Sequence, residues 1–158
     1  MPGRDPHPTR DPGGHSFSSP EERPPFLPAH RWRESTSYLW GADLYNHGFL
    51  WEAHEAWEGQ WHVSKSDRVL AAYLQGLIQC AAAWLKIAMR QPKGLERLAV
   101  LALEKLDLVA RAGDGRYMGL DLDAFRPEVR AFADSHPLST SGYPLLVLCD
   151  SEEDDCGD

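Results

Sequence analysis

One short stretch of the sequence concentrates side chains that could bind a ligand or take part in acid–base chemistry. Between Trp51 and His62 the chain has three Trp, three Glu and two His within twelve positions. His54 and Glu58 are four residues apart, so on a helix their side chains lie one above the other and can contact the same ion or ligand. Zinc, manganese and iron(II) accept imidazole and carboxylate ligands. The spacing therefore indicates a candidate divalent metal site at His54 and Glu58, with zinc or manganese as the cofactor.

Neighbouring side chains could complete such a site. Glu55 could act as a further ligand or as the general base of a metal-assisted hydrolysis. Trp51 and Trp61 could line a pocket for a small ligand. Gln75 and Gln79 lie one turn apart on the most apolar helix, and a buried amide needs hydrogen-bond partners. We therefore expect the two Gln side chains to converge with the His and Glu side chains between the second and third helices.

The motif is incomplete as a zinc site. The stretch from His54 to Glu58 differs from the H-E-x-x-H zinc motif because Glu takes the place of the last His. One helix also supplies too few ligands for a closed site. Additional ligands would have to come from other parts of the chain, for which the candidates are His47, Glu104, Asp107 and His136.

A structural role explains the same residues without any ligand. A His beside Trp on a helix is often a buried, hydrogen-bonded core residue, and Trp is usually a core residue as well. The Glu side chains could pair with cations of neighbouring helices, for which the candidates are Arg68, Lys86, Arg97 and Lys105. The residues alone leave three alternatives open: structural pairing, a metal site, or a metal-free ligand pocket.

A helical wheel at about 100° per residue divides the second helix into three arcs. The core arc carries Leu50, Ala53, Trp57 and Trp61. The arc beside it carries Trp51, His54, Glu55, Glu58 and His62. The remaining side carries Glu52, Ala56 and Gln60. Because desolvating an unpaired carboxylate is costly, carboxylates that border a core are expected to be paired or functional.

The elements that position this helix are predicted to be helices as well. Five are expected: at about residues 35–47 and 49–62, from the capping sequence 64–67 to about residue 89, at about 92–112, and a shorter one that carries Phe125, Val129 and Phe132. The third is apolar on nearly every side and should be the central helix. Short loops favour antiparallel neighbours. The predicted fold class is all-α, a compact bundle of about five helices without strands.

Three segments are predicted along the chain. Residues 1–33 are rich in Pro, Arg and Gly and are expected to form a disordered leader, in which Phe26, Leu27 and Trp32 could dock locally. Residues 34–136 form the helical domain. Residues 137–158 form an extended segment and an acidic tail, and the apolar stretch 143–148 is expected to dock into a helix groove. The last nine residues carry six acids and no base.

Composition and charge argue against several functional classes. The formal net charge is −8, and nothing resembles a basic footprint, so nucleic acid is not an expected partner. The apolar run 69–85 is shorter than the roughly 20 residues that a membrane-spanning helix needs. Motifs for nucleotide binding, serine hydrolysis and dithiol redox chemistry are absent. An odd, widely spaced set of three Cys suits a reducing cytoplasm. A homo-oligomer in which helices of two copies pack against each other is compatible with this fold class.

Four blocks of the sequence together resemble a known family. They are Asp43-Leu44-Tyr45-Asn46 with Gly48-Phe49, Trp51-Glu52-Ala53-His54-Glu55 with Trp57-Glu58 and Trp61, Leu74-Gln75-Gly76-Leu77-Ile78-Gln79, and Gly119-Leu120-Asp121-Leu122. In this order they are similar to the small helical prokaryotic family called domain of unknown function 309, over about residues 38–133. The resemblance implies a compact all-helical fold, and it implies no established activity.

Two functional hypotheses follow from the sequence. The first is a soluble helical domain whose pocket binds a divalent metal or small ligand, with metal-assisted hydrolysis as its enzymatic form. The second is a non-enzymatic structural or protein-interaction module, in which the His and Glu side chains form a buried polar network and the terminal segments recruit a partner.

Overall fold

Helices make up most of the fold. The computed structural model describes residues 23–149 of the 158-residue chain. In that part, a 3-10 turn at Ala29–Glu34 precedes five α-helices: α1 (Thr36–Asn46), α2 (Leu50–Val63), α3 (Arg68–Ala88), α4 (Pro92–Ala112) and α5 (Leu122–Asp134). The predicted all-α bundle is confirmed. Most of the predicted leader, up to residue 22, and the acidic tail from residue 150 lie outside the described residues, and the three-segment division stays a prediction.

Local sequence signals explain where the helices begin and end. The carboxylate of Asp67 accepts the backbone N–H of Leu70 at 3.1 Å and caps α3. After α1, Gly48 has a φ of +86°, a conformation that costs glycine little. The N–H groups of Gly48 and Phe49 then donate to the carbonyls of Tyr45 and Leu44, which closes the helix in a Schellman motif.

A small hairpin departs from the prediction that the chain has no strands. The strands β1 (Arg116–Tyr117) and β2 (Leu120–Asp121) pair antiparallel, and Leu148 forms an isolated bridge with Leu120. Each strand has only two residues, too few to show the alternation by which a strand is read from sequence. The hairpin is possible because Gly119 adopts a φ of +83° at its turn.

The central position of α3 is confirmed, because α3 packs against both α2 and α4 and its Tyr73, Leu74 and Trp84 are fully buried. α3 is also the one described helix that is long and apolar enough to cross a membrane, with a mean hydropathy of 1.2 over its most apolar window. Of that window, 61% is buried inside the fold, as in the core helix of a soluble protein. The helix has 21 residues and is therefore long enough to span a membrane, although the sequence analysis expected it to be too short. The argument against a membrane span is its burial.

Buried hydroxyl groups connect α1 to the rest of the core. The Tyr38 hydroxyl donates its single hydrogen to the carbonyl of Met118 at 2.9 Å. In the contact of 2.7 Å between the two hydroxyls, Tyr73 is therefore the donor and Tyr38 the acceptor. The indole of Trp84 donates to the Tyr45 hydroxyl at 2.9 Å. Burial raises the pKa of all three phenols above the usual value, so they remain neutral donors at physiological pH.

The extended segment 143–148 docks against the C-terminal end of α1, as predicted. The Tyr45 hydroxyl donates to the carbonyl of Pro144 at 2.6 Å, and the Tyr143 hydroxyl donates to the carbonyl of Tyr45. The amide of Asn46 both donates to the carbonyl and accepts from the N–H of Leu146, each at 2.8 Å. Asn46 therefore satisfies this backbone as a neighbouring strand would.

The two cysteines among residues 23–149, Cys80 and Cys149, differ in oxidation state. Cys80 is free and buried on α3, and burial raises the pKa of its thiol to about 12. Cys80 is therefore a small core residue. Cys149 is disulfide-bonded, which departs from the expectation of reduced cysteines.

Close packing between α1 and α2 depends on Gly41. A Cβ atom at this position would lie 2.3 Å from the indole nitrogen of Trp57 and less than 3 Å from two further ring atoms. Trp57 is fully buried, and its indole N–H points back to α1, where it donates to the carbonyl of Tyr38 at 3.3 Å. The rigid ring has nowhere to move, so α1 can approach α2 this closely only at a glycine.

We expect Gly41→Ala to lower the free energy of unfolding by about 1–3 kcal/mol, the usual range for overpacking a core. The matched control is Gly59→Ala, also inside a helix, where the new Cβ would make an ordinary contact at 3.6 Å from Pro24. There we expect a gain of up to about 1 kcal/mol, because alanine loses less backbone entropy in a helix. Urea unfolding followed by circular dichroism measures both, and equal midpoints for the two variants would contradict the packing argument.

Candidate functional site on the outward flank of α2

The rotation of α2 about its axis is set by the residues that it buries. Leu50, Ala53 and Trp57 are buried, as predicted for the core arc. Trp61 packs against the core but is only half-buried, and Gln60, which was placed on the remaining side, is 1% exposed. The buried face is thus turned away from Trp61 toward Gln60, by about 20° on a wheel of 100° per residue.

The sequence analysis assigned Gln60 to the side of the helix away from the core, because the core arc was defined by apolar side chains and Gln is polar. The buried face continues from Trp57 through Gln60 to Ser64, at helical spacing. The Ser64 hydroxyl donates to the carbonyl of Gln60 at 2.8 Å. The side-chain Oε1 of Gln60 is buried with no hydrogen-bond partner among the described residues. The sequence offers no signal for this burial.

The arc beside the core is placed as predicted. We call it the α2 flank, and it consists of Trp51, His54, Glu55, Glu58 and His62. All five side chains are half-buried. They form one row along the helix, because their positions fall within about 100° of one another on the wheel. The flank thus borders the core without entering it.

Glu58 is the centre of this row. Its Oε2 lies 3.5 Å from Nδ1 of His54 and its Oε1 lies 3.8 Å from Nε2 of His62. The ring of Trp51 stacks on His54, with centroids 5.3 Å apart and an angle of 5° between the planes. Trp61 lies against His62, and the Lys65 ammonium stands over the Trp61 ring at 4.5 Å.

This geometry offers two ligands to a metal rather than three. His54 and His62 are eight residues apart, about 12 Å along the helix axis, and each approaches a different oxygen of Glu58. Within residues 23–149, no group of three or more His, Cys, Asp or Glu is arranged to hold a metal.

The additional ligands considered from the sequence are engaged elsewhere. Asp107 pairs with Arg126 at 2.6 Å, on the side of α4 that faces α5. His136 lies 4.0 Å from Glu96, and His47 donates to the carbonyl of Asp43 at 2.8 Å. Glu104 is exposed. The structure therefore does not bring these four residues to the α2 flank as a ligand set.

The two glutamines predicted to face the flank are half-buried on α3. The Oε1 of Gln79 is buried and has no hydrogen-bond partner in the described part of the chain. It is therefore not the acceptor for a donor on the α2 flank. The roles of Gln75 and Gln79 as orienting groups, and of Glu55 as a base, stay predictions.

The electrostatics of the flank favour a neutral His62. Burial lowers its pKa below the usual 6.5, the positive charges of Arg23 and Lys65 lower it further, and the carboxylate of Glu58 acts in the opposite direction. At pH 7 the contact between Glu58 and His62 is thus a carboxylate beside a neutral imidazole. Among residues 23–149, the ion-pair contacts of Glu58 are with two His of its own helix rather than with Arg68, Lys86, Arg97 or Lys105.

Two surface clefts lie away from these residues, and the sequence interpretation missed both. The larger, of about 590 Å³, lies between the 3-10 turn, α1 and the extended segment, and is lined by Trp32, Arg33, Leu39, Ala42, Asp43, Asn46, Leu146 and Leu148. The smaller lies between α5 and residues 142–144. Asn46 is the last residue of α1, and its side chain also lines the larger cleft.

The fold and the flank define a small all-α protein with a polar and aromatic row on one helix. The model of the family described as Domain of unknown function (DUF309) matches residues 38–98. That segment covers α1, α2, α3 and the start of α4, and the match confirms the resemblance predicted from the sequence there. The predicted extension of the resemblance to residue 133 stays a prediction. No curated protein and no solved structure matches the chain.

The surroundings of His62 predict opposite shifts of its pKa in two variants. Glu58→Gln removes the group that raises the pKa and should lower it further, whereas Lys65→Gln removes a charge that lowers it and should raise it. Because the folded pKa is below the unfolded value, protonation favours the unfolded state, and this contribution to stability is lost as pH falls below about 6.5. NMR titration of the His62 ring protons checks both shifts, and a pKa above 6.5 in the parent protein would contradict the assignment.

Proposed function

We propose that this protein is a non-enzymatic protein-interaction module and that the α2 flank is its contact surface. The observation that carries the proposal is the arrangement of the flank. Two carboxylates, two imidazoles and an indole form a half-buried row along one side of a helix, and the two described clefts lie elsewhere. A row of this shape suits contact along a surface better than enclosure of a small molecule.

The residue types support a macromolecular partner. Trp is enriched among the residues that carry most of the binding energy at protein interfaces, where it combines a large apolar area with little conformational freedom. Trp51 stands at one end of the flank, and Trp61, on the core arc, lies against His62 at the other end. Charged groups between aromatic anchors contribute orientation and specificity more than affinity. The flank supplies both kinds of group on a rigid helix.

The fold is consistent with a soluble protein. We infer a cytoplasmic location from the odd, widely spaced set of three Cys, which suits a reducing compartment. The disulfide at Cys149 is the kind of bond that forms in oxidising compartments. The location is therefore tested directly, by fractionation of cells that express the full chain together with a thiol count on the purified protein.

The function is tested by affinity capture of the full chain from the source cells, with cross-linking and quantification of each captured protein. We expect Trp51→Ala to reduce capture of a specific partner at least about tenfold, as at an interface residue that contributes about 1.4 kcal/mol or more. Val100→Ala is the matched control, because Val100 is apolar and 56% exposed on α4. Equal capture by the two variants would remove the α2 flank as the contact surface.

A second candidate is a divalent metal or small-ligand site, and one observation favours it. His54 and Glu58 approach within 3.5 Å, close enough to share an ion such as zinc or manganese. In its enzymatic form, Glu55 would be the base of a metal-assisted hydrolysis. If this candidate is correct, isothermal titration with zinc or manganese should show one ion bound per chain, and His54→Ala should abolish that binding. If the protein is an interaction module, neither the wild-type protein nor His54→Ala should show saturable metal binding.

A further inference from the structure

One wall of the larger cleft is the edge of an extended strand. The Cys149 N–H donates to the carbonyl of Gly119 at 2.9 Å, and Leu148 forms an antiparallel bridge with Leu120. This pattern makes Leu120 and Leu148 a non-hydrogen-bonded pair, so the N–H and C=O of Leu148 point away from β2. The N–H and C=O of Leu146 point to the same side, because alternate residues of an extended chain share an edge.

Asn46 covers only part of this edge. Its side-chain amide satisfies both backbone groups of Leu146, as a neighbouring strand would. Two residues further along, the N–H and C=O of Leu148 have no hydrogen-bond partner within residues 23–149. Asn46, Leu146 and Leu148 all line the cleft, so this donor and this acceptor face it. An open strand edge is a template on which another extended chain can pair.

The opposite wall of the cleft is the helix α1. Leu39 and Ala42 contribute apolar surface, and Asn46 closes one end because it binds the extended segment. Leu39 and Asn46 are seven residues apart, about 10 Å along the helix axis. About three residues of an extended chain cover that length, at roughly 3.3 Å per residue. The cleft is thus a short groove with the dimensions of a peptide motif.

Strand addition fits the two walls of this groove. When an extended peptide adds to a strand edge, hydrogen bonds between the backbones give affinity, and contacts of its side chains give specificity. The Leu148 edge offers one donor and one acceptor for the backbone. The surface of Leu39 and Ala42 offers a contact for an apolar side chain.

The charge of the cleft selects among peptides. Asp43 is exposed at its rim and forms no ion pair within residues 23–149. The other charged side chain of the cleft, Arg33, stands over the Trp32 ring at 4.6 Å. The Asp43 carboxylate is therefore the charge that a partner can pair with, and it favours a Lys or Arg side chain.

We propose that the larger cleft binds an extended peptide segment of a partner protein. The peptide pairs its backbone with the N–H and C=O of Leu148, lays an apolar side chain on Leu39 and Ala42, and places a Lys or Arg side chain at Asp43. This site is separate from the α2 flank, so the inference does not depend on the contact surface proposed there.

Selection from a random peptide library displayed on phage, with the full chain as the target, supplies the probe. We expect enrichment of peptides that combine an apolar residue with a nearby Lys or Arg. Absence of such peptides from the enriched pool overturns the proposal. The peptide with the highest affinity is then synthesised for the two measurements that follow.

A charge exchange tests the role of Asp43. The affinity for the selected peptide should fall at least about fivefold in Asp43→Lys, and it should recover when Glu replaces the basic residue of the peptide. Glu104→Lys is the matched control, because Glu104 is exposed on α4 and does not line the cleft. There the same change of charge should leave the affinity within about twofold. Equal losses in the two variants, or no recovery with the exchanged peptide, overturn the proposal.

Hydrogen exchange at two backbone N–H groups tests the strand pairing. Without peptide, the N–H of Leu148 should exchange faster than that of Leu146, which donates to Asn46. Saturating peptide should slow exchange at Leu148 at least about tenfold and leave Leu146 little changed. Protection of Leu148 before peptide is added would mean that the chain itself fills the edge. Lack of protection after addition would mean that no strand is added, and either result overturns the proposal.

These outcomes are distinct from those that test the α2 flank. Peptide binding at the cleft together with unchanged partner capture by Trp51→Ala leaves the cleft as a contact site and removes the flank. Loss of partner capture in Trp51→Ala without enrichment of the expected peptides leaves the flank and removes the cleft.

Discussion

The contact between Gly41 and the Trp57 indole is the constraint on which the arrangement of the other parts depends. The indole fills the space where a side chain on α1 would be, and its N–H returns to the carbonyl of Tyr38. These two contacts fix both the distance and the rotation of α2 relative to α1. Once Trp57 points inward, helical geometry turns the α2 flank outward. The polar row is therefore a consequence of core packing as much as of its own residue types.

A second constraint joins parts of the chain that are distant in sequence. The hydroxyl of Tyr45 lies between the indole of Trp84 on α3 and the carbonyl of Pro144, and Asn46 holds Leu146 by two hydrogen bonds. Burial makes each of these polar groups costly to leave without a partner. The extended segment is thereby part of the domain rather than an appended tail, and it forms one wall of the larger cleft.

The α2 flank illustrates how a dense set of catalytic residue types can lack a catalytic arrangement. Both oxygens of Glu58 face imidazoles, and the two His lie eight residues apart, so that their backbones are separated by about 12 Å along the helix. Residues spaced four and eight apart form a row, whereas a metal site needs ligands that converge from several elements. A row suits a long partner, such as an extended segment or another helix. This is the physical reason for preferring an interaction surface.

The sequence by itself determined the five helices and the membership of the α2 flank. These features depend on periodicity and on backbone preferences within a few residues, which are local properties of the chain. Only the tertiary structure decided that Gln60 is buried, that Asn46 binds Leu146, and that His47, Asp107 and His136 lie apart from His54. Each of these depends on which surfaces meet across α1, α2 and the C-terminal segment. Such contacts join residues far apart in sequence, and helical periodicity carries no information about them.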